Sequence, residues 1–335
     1  MADKTGIEWT DATWNPVRGC SLVSPGCTNC YAMKQAHRFS GPGKPYAGLT
    51  KMTKGGPVWT GEIRKVPEAI SQPVRWKRPR RIFVNSMSDV FHEGLSNFDI
   101  GMIFETMIEA DWHTYQVLTK RPARMLEAVK GMCRQWGLAN LPRHIWLGVS
   151  VEDQARADER IPLLLQTPAA VRWISAEPLI GPVDLTAINA PGKDECYTAH
   201  HGRGRLNALT GWCYNESLFD GRWEDNLDPS QEGHHGNAPR QRNAIDWVVV
   251  GGESGPGARP FAIEWARLLV RQCKAGGVPL FMKQVGADFG HCGPDGVSAS
   301  IIRYPLRDRK GGDPAEWPAD LRVREFPSQC GDRVR

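Results

Sequence analysis

The sequence lacks any long apolar run. Its longest, "IPLLL" (161–165) and "DWVVVGG" (246–252), fall far short of the ~20 residues that span a bilayer. It also lacks a recognisable secretory signal, since "MADKTGIEWTDATW" is polar from its first residues. Nine cysteines, an odd number without secretory context, argue against a disulfide framework and for reduced thiols or ligands. A strong charge of one sign is missing too: the formal net charge of +5 permits a nucleic-acid partner without requiring one. The expectation is a cytoplasmic protein with no membrane partner.

What is present is a regular alternation. A chain of 335 residues, 41% hydrophobic, can build two domains of ~150 residues or one α/β barrel with insertions. "RIFVNS" (81–86) precedes an amphipathic stretch over 97–110, and "YQVLT" (115–119) precedes 122–136, where Pro122 suits a first helical turn. "HIWLGVSV" (144–151), "AVRWISA" (170–176), "DWVVVGG" and "VPLFMKQV" (278–285) continue the strands, with helices over 152–166 and 262–277. Gly276 and Gly277 stand where the last helix should stop. This pattern predicts an α/β fold with a parallel sheet and crossover helices, best closed as a barrel or partial barrel. Chemistry then gathers at the carboxyl ends of the strands.

One segment breaks the rhythm. Residues 187–243, rich in Gly, His, Asn and Arg, read as an insertion or lid between the fifth and sixth strands. Cys196, Cys213, His200, His201, His234 and His235 form a candidate zinc set there, at a spacing that matches no familiar pattern. The expected organisation is a core over 1–186 and 244–290, this insertion, and a C-terminal extension over 291–335.

"RGCSLVSPGCTNCYA" (18–32) gathers Cys20, Cys27 and Cys30, and no further cysteine or histidine follows until His37. Structural zinc wants four ligands, and iron–sulfur clusters usually take four cysteines. Three thiolates on a short loop suit a four-iron cluster with one iron open to a small molecule. Zinc completed by a distant ligand, or three buried thiols, are the alternatives. The strand ends add weight to a large polar cofactor. Ser86, Ser88 and Asp89 follow the first clear strand, then Thr119 and Lys120, Ser150 and Glu152, Ser175 and Glu177, and Gly251 to Ser254.

The three-cysteine loop with Tyr31 after it, then "SMSD" (86–89), "LTK" (118–120), "VSV" (149–151) and "EP" (177–178), resembles the radical S-adenosylmethionine superfamily. Within it the chain is similar to the spore photoproduct lyase branch and to a largely phage-encoded three-cysteine-motif family. The resemblance extends over nearly the whole chain outside 187–243, including "GGESGPGARP" (251–260) and "FMKQVG" (281–286). It implies a partial (β/α)6-type TIM barrel of the radical-SAM kind and a [4Fe–4S] cluster on Cys20, Cys27 and Cys30. It further implies that S-adenosyl-L-methionine binds the open iron and is cleaved to methionine and a 5′-deoxyadenosyl radical, with electrons from a reductant such as flavodoxin or ferredoxin. Ser86, Ser88 and Asp89 would receive the methionine amino group, Lys120 the carboxylate, Ser150 the ribose or carboxylate, and Tyr31 the adenosine side. Glu152 and Glu177 complete the implied cofactor-binding set. Two departures stand out: the spacing is C-x6-C-x2-C where C-x3-C-x2-C is common, and Asn29 occupies a position that is usually aromatic.

For the substrate, "RWKRPRR" places Arg75, Lys77, Arg78, Arg80 and Arg81 within residues 75–81, either as a phosphate-contacting patch or as a solvated loop. With the resemblance, this points to a pyrimidine in DNA, modified, rearranged or repaired, as in phage thymidine hypermodification; a phage-encoded enzyme would then work in the cytoplasm of its bacterial host. An enzyme acting on a base usually extrudes it from the duplex. A peptide or small-metabolite substrate, or a non-catalytic zinc-stabilised nucleic-acid-binding protein, are the competing readings.

Overall fold

The alternating segments become the strands and helices of one sheet layer in a computed structural model. It describes residues 5–189, 204–211, 213–215, 243–293 and 303–327. The seven strands are β1 (Ala12–Trp14), β2 (Arg81–Val84), β3 (Thr114–Thr119), β4 (Ile145–Ser150), β5 (Val171–Ala176), β6 (Trp247–Gly251) and β7 (Leu280–Gln284). They lie side by side in chain order, and every pairing is parallel. The protein is thus a mixed α/β structure whose open seven-stranded sheet curls into a half-barrel, compatible with the partial barrel expected.

Among the described residues, five α-helices run eight residues or more: α1 (Tyr31–Arg38), α2 (Asn97–Glu109), α3 (Pro122–Trp136), α4 (Gln154–Gln166) and α5 (Ile263–Ala275). Local chemistry fixes their ends. Ser96 and Asp99 form a reciprocal capping box at the start of α2, and Asp153 accepts from the Arg156 amide at the start of α4. Pro122 opens α3, and Gly137 ends it in the left-handed region at φ 66°. Among the described residues no helix is long and apolar enough to cross a membrane.

Pleating sorts each strand's side chains onto two faces. Ile82, Val84, Val117, Leu147, Val149, Ile174, Val248, Val250 and Met282 face outward into the main core with the helices. Phe83, Trp146, Trp173, Trp247, Val249 and Phe281 face the concave side, where Trp9 joins them. Burying each of these large side chains stabilises by about 1.5–3 kcal/mol, so the barrel floor is a packed plug and not a channel. The tight step is Gly148: a Cβ there would lie 2.5 Å from the Trp173 ring.

The C-terminal extension covers the open edge of β7. Met282 donates to the Val323 carbonyl and Glu325 to that of Leu280, while Phe326 stacks on Trp247 at 5.4 Å. The described part of the insertion contributes a small antiparallel sheet of Ile188–Asn189, Gly204–Leu206 and Cys213–Asn215. Ile188, Leu206 and Leu209 are buried in the main core, and a Cβ on Gly276 past α5 would sit 2.9 Å from Leu209. These residues cover the helical layer and do not line the cavity described below. Of the candidate zinc ligands, Cys196, His200, His201, His234 and His235 lie outside the described residues, and Cys213 is placed by its backbone alone.

Candidate functional site

Near the carboxyl edge the alternation that fills the floor with aromatics brings polar residues to the same concave face. Asn15 follows β1, Asn85 follows β2, Lys120 follows β3, Ser150 ends β4, Ser175 and Glu177 come from β5, and Lys283 from β7. All of these line one cavity of about 1130 Å³ above Trp9 and Phe83. Asn85 is its least satisfied member. It is 4% exposed, adopts φ 57°, and among the described residues neither its Nδ2 nor its Oδ1 has a partner.

The segment between β1 and β2 lays the cysteine loop over this opening, and Cys20, Cys27 and Cys30 all line the cavity. Gly19 admits the turn into the loop at φ 90°, where a Cβ would lie 2.2 Å from the Glu62 carbonyl oxygen. A 3-10 turn over Pro25–Cys27 follows, and Cys30 caps α1, whose amino terminus favours negative charge nearby.

Side chains from three strand ends clamp the loop. After β3, Arg121 donates to Ser21 Oγ at 2.6 Å, to Asp89 at 3.0 Å and to Cys20 Sγ at 3.9 Å; His92 Nε2 lies 3.0 Å from the same Ser21 hydroxyl. After β4, Glu152 accepts from the Ser24 hydroxyl and from the Gly26 amide at 3.3 Å, backed by Arg160 at 2.9 Å in full burial. A side chain at Gly26 would collide with Glu152 at 2.9 Å. After β6, Glu253 accepts from Asn29 Nδ2 at 2.9 Å and is held by Arg259. Asn29, between the second and third cysteines, thus serves as a tether.

Electrostatics follow from this packing. Burial first, then the Asp89 carboxylate, pushes the Cys20 thiol up to about 12, and burial raises Cys30 as well. A bound cation would invert that preference. Burial alone would raise the Glu152 carboxyl, but Lys120 and Arg160 hold it below the usual carboxylate range. Among the described residues, no three His, Cys, Asp or Glu side chains are grouped so as to hold a single metal ion. Cys20, Cys27 and Cys30 share the wall of one cavity.

A family model described as a protein of unknown function (DUF5131) matches residues 4–300. The chain belongs to that family. No curated protein and no solved structure matches it significantly. The DUF5131 match spans the cysteine loop and all seven strands, and its description assigns no chemistry.

The residues expected at the site fall into three groups. Ser86, Ser88, Lys120, Ser150, Glu177 and Tyr31 line the cavity with the cysteines. Tyr31 donates to the Ser86 carbonyl at 2.8 Å, Ser86 to Asn15 Oδ1 at 3.2 Å, and Ser88 to the Val17 carbonyl at 2.8 Å. Glu177 is paired with Lys283. Lys120 makes no side-chain hydrogen bond among the described residues.

Asp89 and Glu152 are engaged by the protein's own groups. Asp89 borders the cavity, but it accepts from the Thr119 hydroxyl, Arg121, and the Phe91 and Lys120 amides, which leaves it little capacity for a ligand ammonium. Glu152 is fully buried behind the loop and is not on the cavity wall. Both position the loop.

The basic run falls elsewhere. Arg75, Lys77, Arg78 and Arg80 precede β2 and Arg81 opens it, so the run lies at the amino edge, about 13 Å of strand from Asn85. Arg81 pairs with Asp11 and lies over Phe326, Arg80 lies over Trp76, and Arg75 donates to Ser71. None of the five lines the cavity.

Proposed function

We propose that the protein is a radical S-adenosylmethionine enzyme that carries a [4Fe–4S] cluster on Cys20, Cys27 and Cys30 and acts on a pyrimidine base in DNA. The observation that carries this reading is the convergence of the three thiols on one large cavity at the carboxyl edge of a parallel half-barrel. Three thiols lining one cavity suit a four-iron cluster with one iron open better than a structural zinc site, which wants four protein ligands. The cavity exceeds the ~300–1,000 Å³ usual for small-molecule sites, which suits a cluster with a nucleoside-sized cofactor and a base. The unpartnered Asn85 amide supplies a polar group in want of a ligand, and the Lys120 ammonium lies on the same wall.

When bound, the cluster supplies the electron that cleaves S-adenosylmethionine to methionine and a 5′-deoxyadenosyl radical competent to take a hydrogen atom from substrate. The chain's own residues hold and orient the parts. Lys120 stands ready for a carboxylate, and the Ser86 and Ser88 hydroxyl lone pairs for an ammonium. The aromatic floor of Trp9, Phe83 and Trp173 excludes water from below. Thymidine hypermodification as the outcome rests on family resemblance.

The test is anaerobic reconstitution, chemical reduction and quantification of 5′-deoxyadenosine by mass spectrometry. Wild-type protein is expected to form it from S-adenosylmethionine alone, and Cys27→Ala is not. Wild-type protein with a full cluster that forms none contradicts the reading.

A further inference from the structure

Positive charge is dense over residues 31–65 as well as in the run at 75–81. Residues 31–65 hold seven Lys and Arg against one acidic residue, Glu62, whereas the whole chain holds 42 against 37. Outside the segment acidic residues outnumber basic ones, 36 to 35. The segment comprises α1 and an antiparallel hairpin of Thr50–Thr53 and Gly56–Trp59, which pack on each other through Ala36, Leu49 and Trp59.

Few of its cations have a carboxylate partner. Arg38, Lys44, Lys51 and Lys54 are exposed, and among the described residues Lys65, at 2.8 Å from Asp99, is alone in the segment in having a carboxylate partner. The same segment exposes apolar surface: Tyr31 at 52%, Phe39 at 46% and Met52 at 62%. The segment also forms one wall of the cavity, through Tyr31, Arg38, Phe39 and Tyr46. Arg18 beside the first cysteine lies 5.7 Å from the Tyr46 ring.

We infer that this α1–hairpin face is the docking surface for a DNA strand, its cations on the phosphates and Tyr31 and Phe39 stacking on bases at the rim. A polyanion supplies the counter-charge that the fold withholds, and aromatic platforms beside a basic groove suit unstacked bases. An extruded base then passes between Tyr31 and the cysteine loop into the cavity. The surface belongs here and not at Arg75–Arg81, which sits at the opposite edge of the sheet. Its role in turnover rests on the proposed nucleobase substrate; its existence does not.

The experiment is binding of a fluorescein-labelled single-stranded oligonucleotide by the full-length protein over a potassium chloride series. The variants are Lys44→Ala/Lys51→Ala/Lys54→Ala, and Arg75→Ala/Arg78→Ala as the control. Each lost phosphate contact should lower the log–log salt slope by about 0.7, so the hairpin triple variant should lose about 2 from it and the control nothing. Circular dichroism melting verifies that both variants fold, and their uncoupled 5′-deoxyadenosine formation should equal wild type. An unchanged slope in the hairpin variant overturns the inference. So does absence of wild-type binding, or binding to phosphatidylglycerol vesicles without binding to the oligonucleotide. If the hairpin variant loses binding but wild-type protein forms no 5′-deoxyadenosine, the docking surface stands and the radical chemistry falls.

Discussion

Asn85 carries two costs at a single position. A left-handed backbone costs a side-chain-bearing residue about 1–2 kcal/mol, although asparagine tolerates it best, and a buried amide without partners costs about 1–3 kcal/mol more. Such a residue on a cavity wall is understandable if a ligand completes its hydrogen bonds. Asn85→Gly keeps the backbone and removes the amide. Its stability to urea should stay within about 1 kcal/mol of wild type, because relief of strain offsets glycine's entropy. Its affinity for S-adenosylmethionine, measured by equilibrium dialysis on the reconstituted protein, should fall by about tenfold or more. A large loss of stability with unchanged affinity would make Asn85 a purely structural residue. The sequence pointed to this strand end through its polar run, and the resemblance gave the ligand role to Ser86, Ser88 and Asp89 and none to Asn85. Nothing local in "NSMSD" reveals that Thr119 and Arg121, some thirty residues on, saturate that carboxylate while the neighbouring amide stays unpaired.

The cysteine loop is held mainly by elements far from it in sequence. Glu152, from the end of β4, grips Ser24 and Gly26 while neutralising Arg160, both charges being fully buried. Glu152→Gln leaves the Arg160 charge without a counter-ion in the interior, which should cost about 3–5 kcal/mol in urea unfolding. Glu253→Gln faces a more exposed partner, Arg259, and should cost clearly less. Equal losses in the two variants would show that the interior pair is not the principal anchor. The long elements were legible because their periodicity is local: α3 occupies the residues from Pro122 to Trp136 that the pattern marks. β1 is only three residues long and becomes a strand by pairing with β2 nearly seventy residues later. The hairpin over residues 50–59 was missed for a related reason. Its TKMT and GPVW strands are mostly exposed or half-exposed and carry no strong apolar alternation. The loop's ties to Glu152 and Glu253 were equally invisible, since hydrogen bonds between distant segments leave no spacing to read.

Across the whole molecule, polarity is stratified from one edge of the sheet to the other. An aromatic plug closes the amino side, a polar tier rises above it, three thiols roof the cavity, and the basic hairpin flanks its mouth. The arrangement suits reactive chemistry that must be kept from water below and reached by a charged polymer from above. The sequence conveyed the tiers at the strand ends and singled out "RWKRPRR", its densest basic run, which lies at the amino edge; Lys44, Lys51 and Lys54 are dispersed along the chain and form no such run. Every part of this reading depends on what the thiols hold. The decisive measurement is the iron and acid-labile sulfide content of anaerobically purified protein, with single alanine variants of five cysteines. About four irons and four sulfides per chain are expected in wild type. They should be lost in Cys20→Ala, Cys27→Ala and Cys30→Ala and retained in Cys133→Ala and Cys273→Ala, whose thiols are buried in helices α3 and α5. One zinc per chain without sulfide, or iron indifferent to all five substitutions, would contradict the cluster and the function built on it.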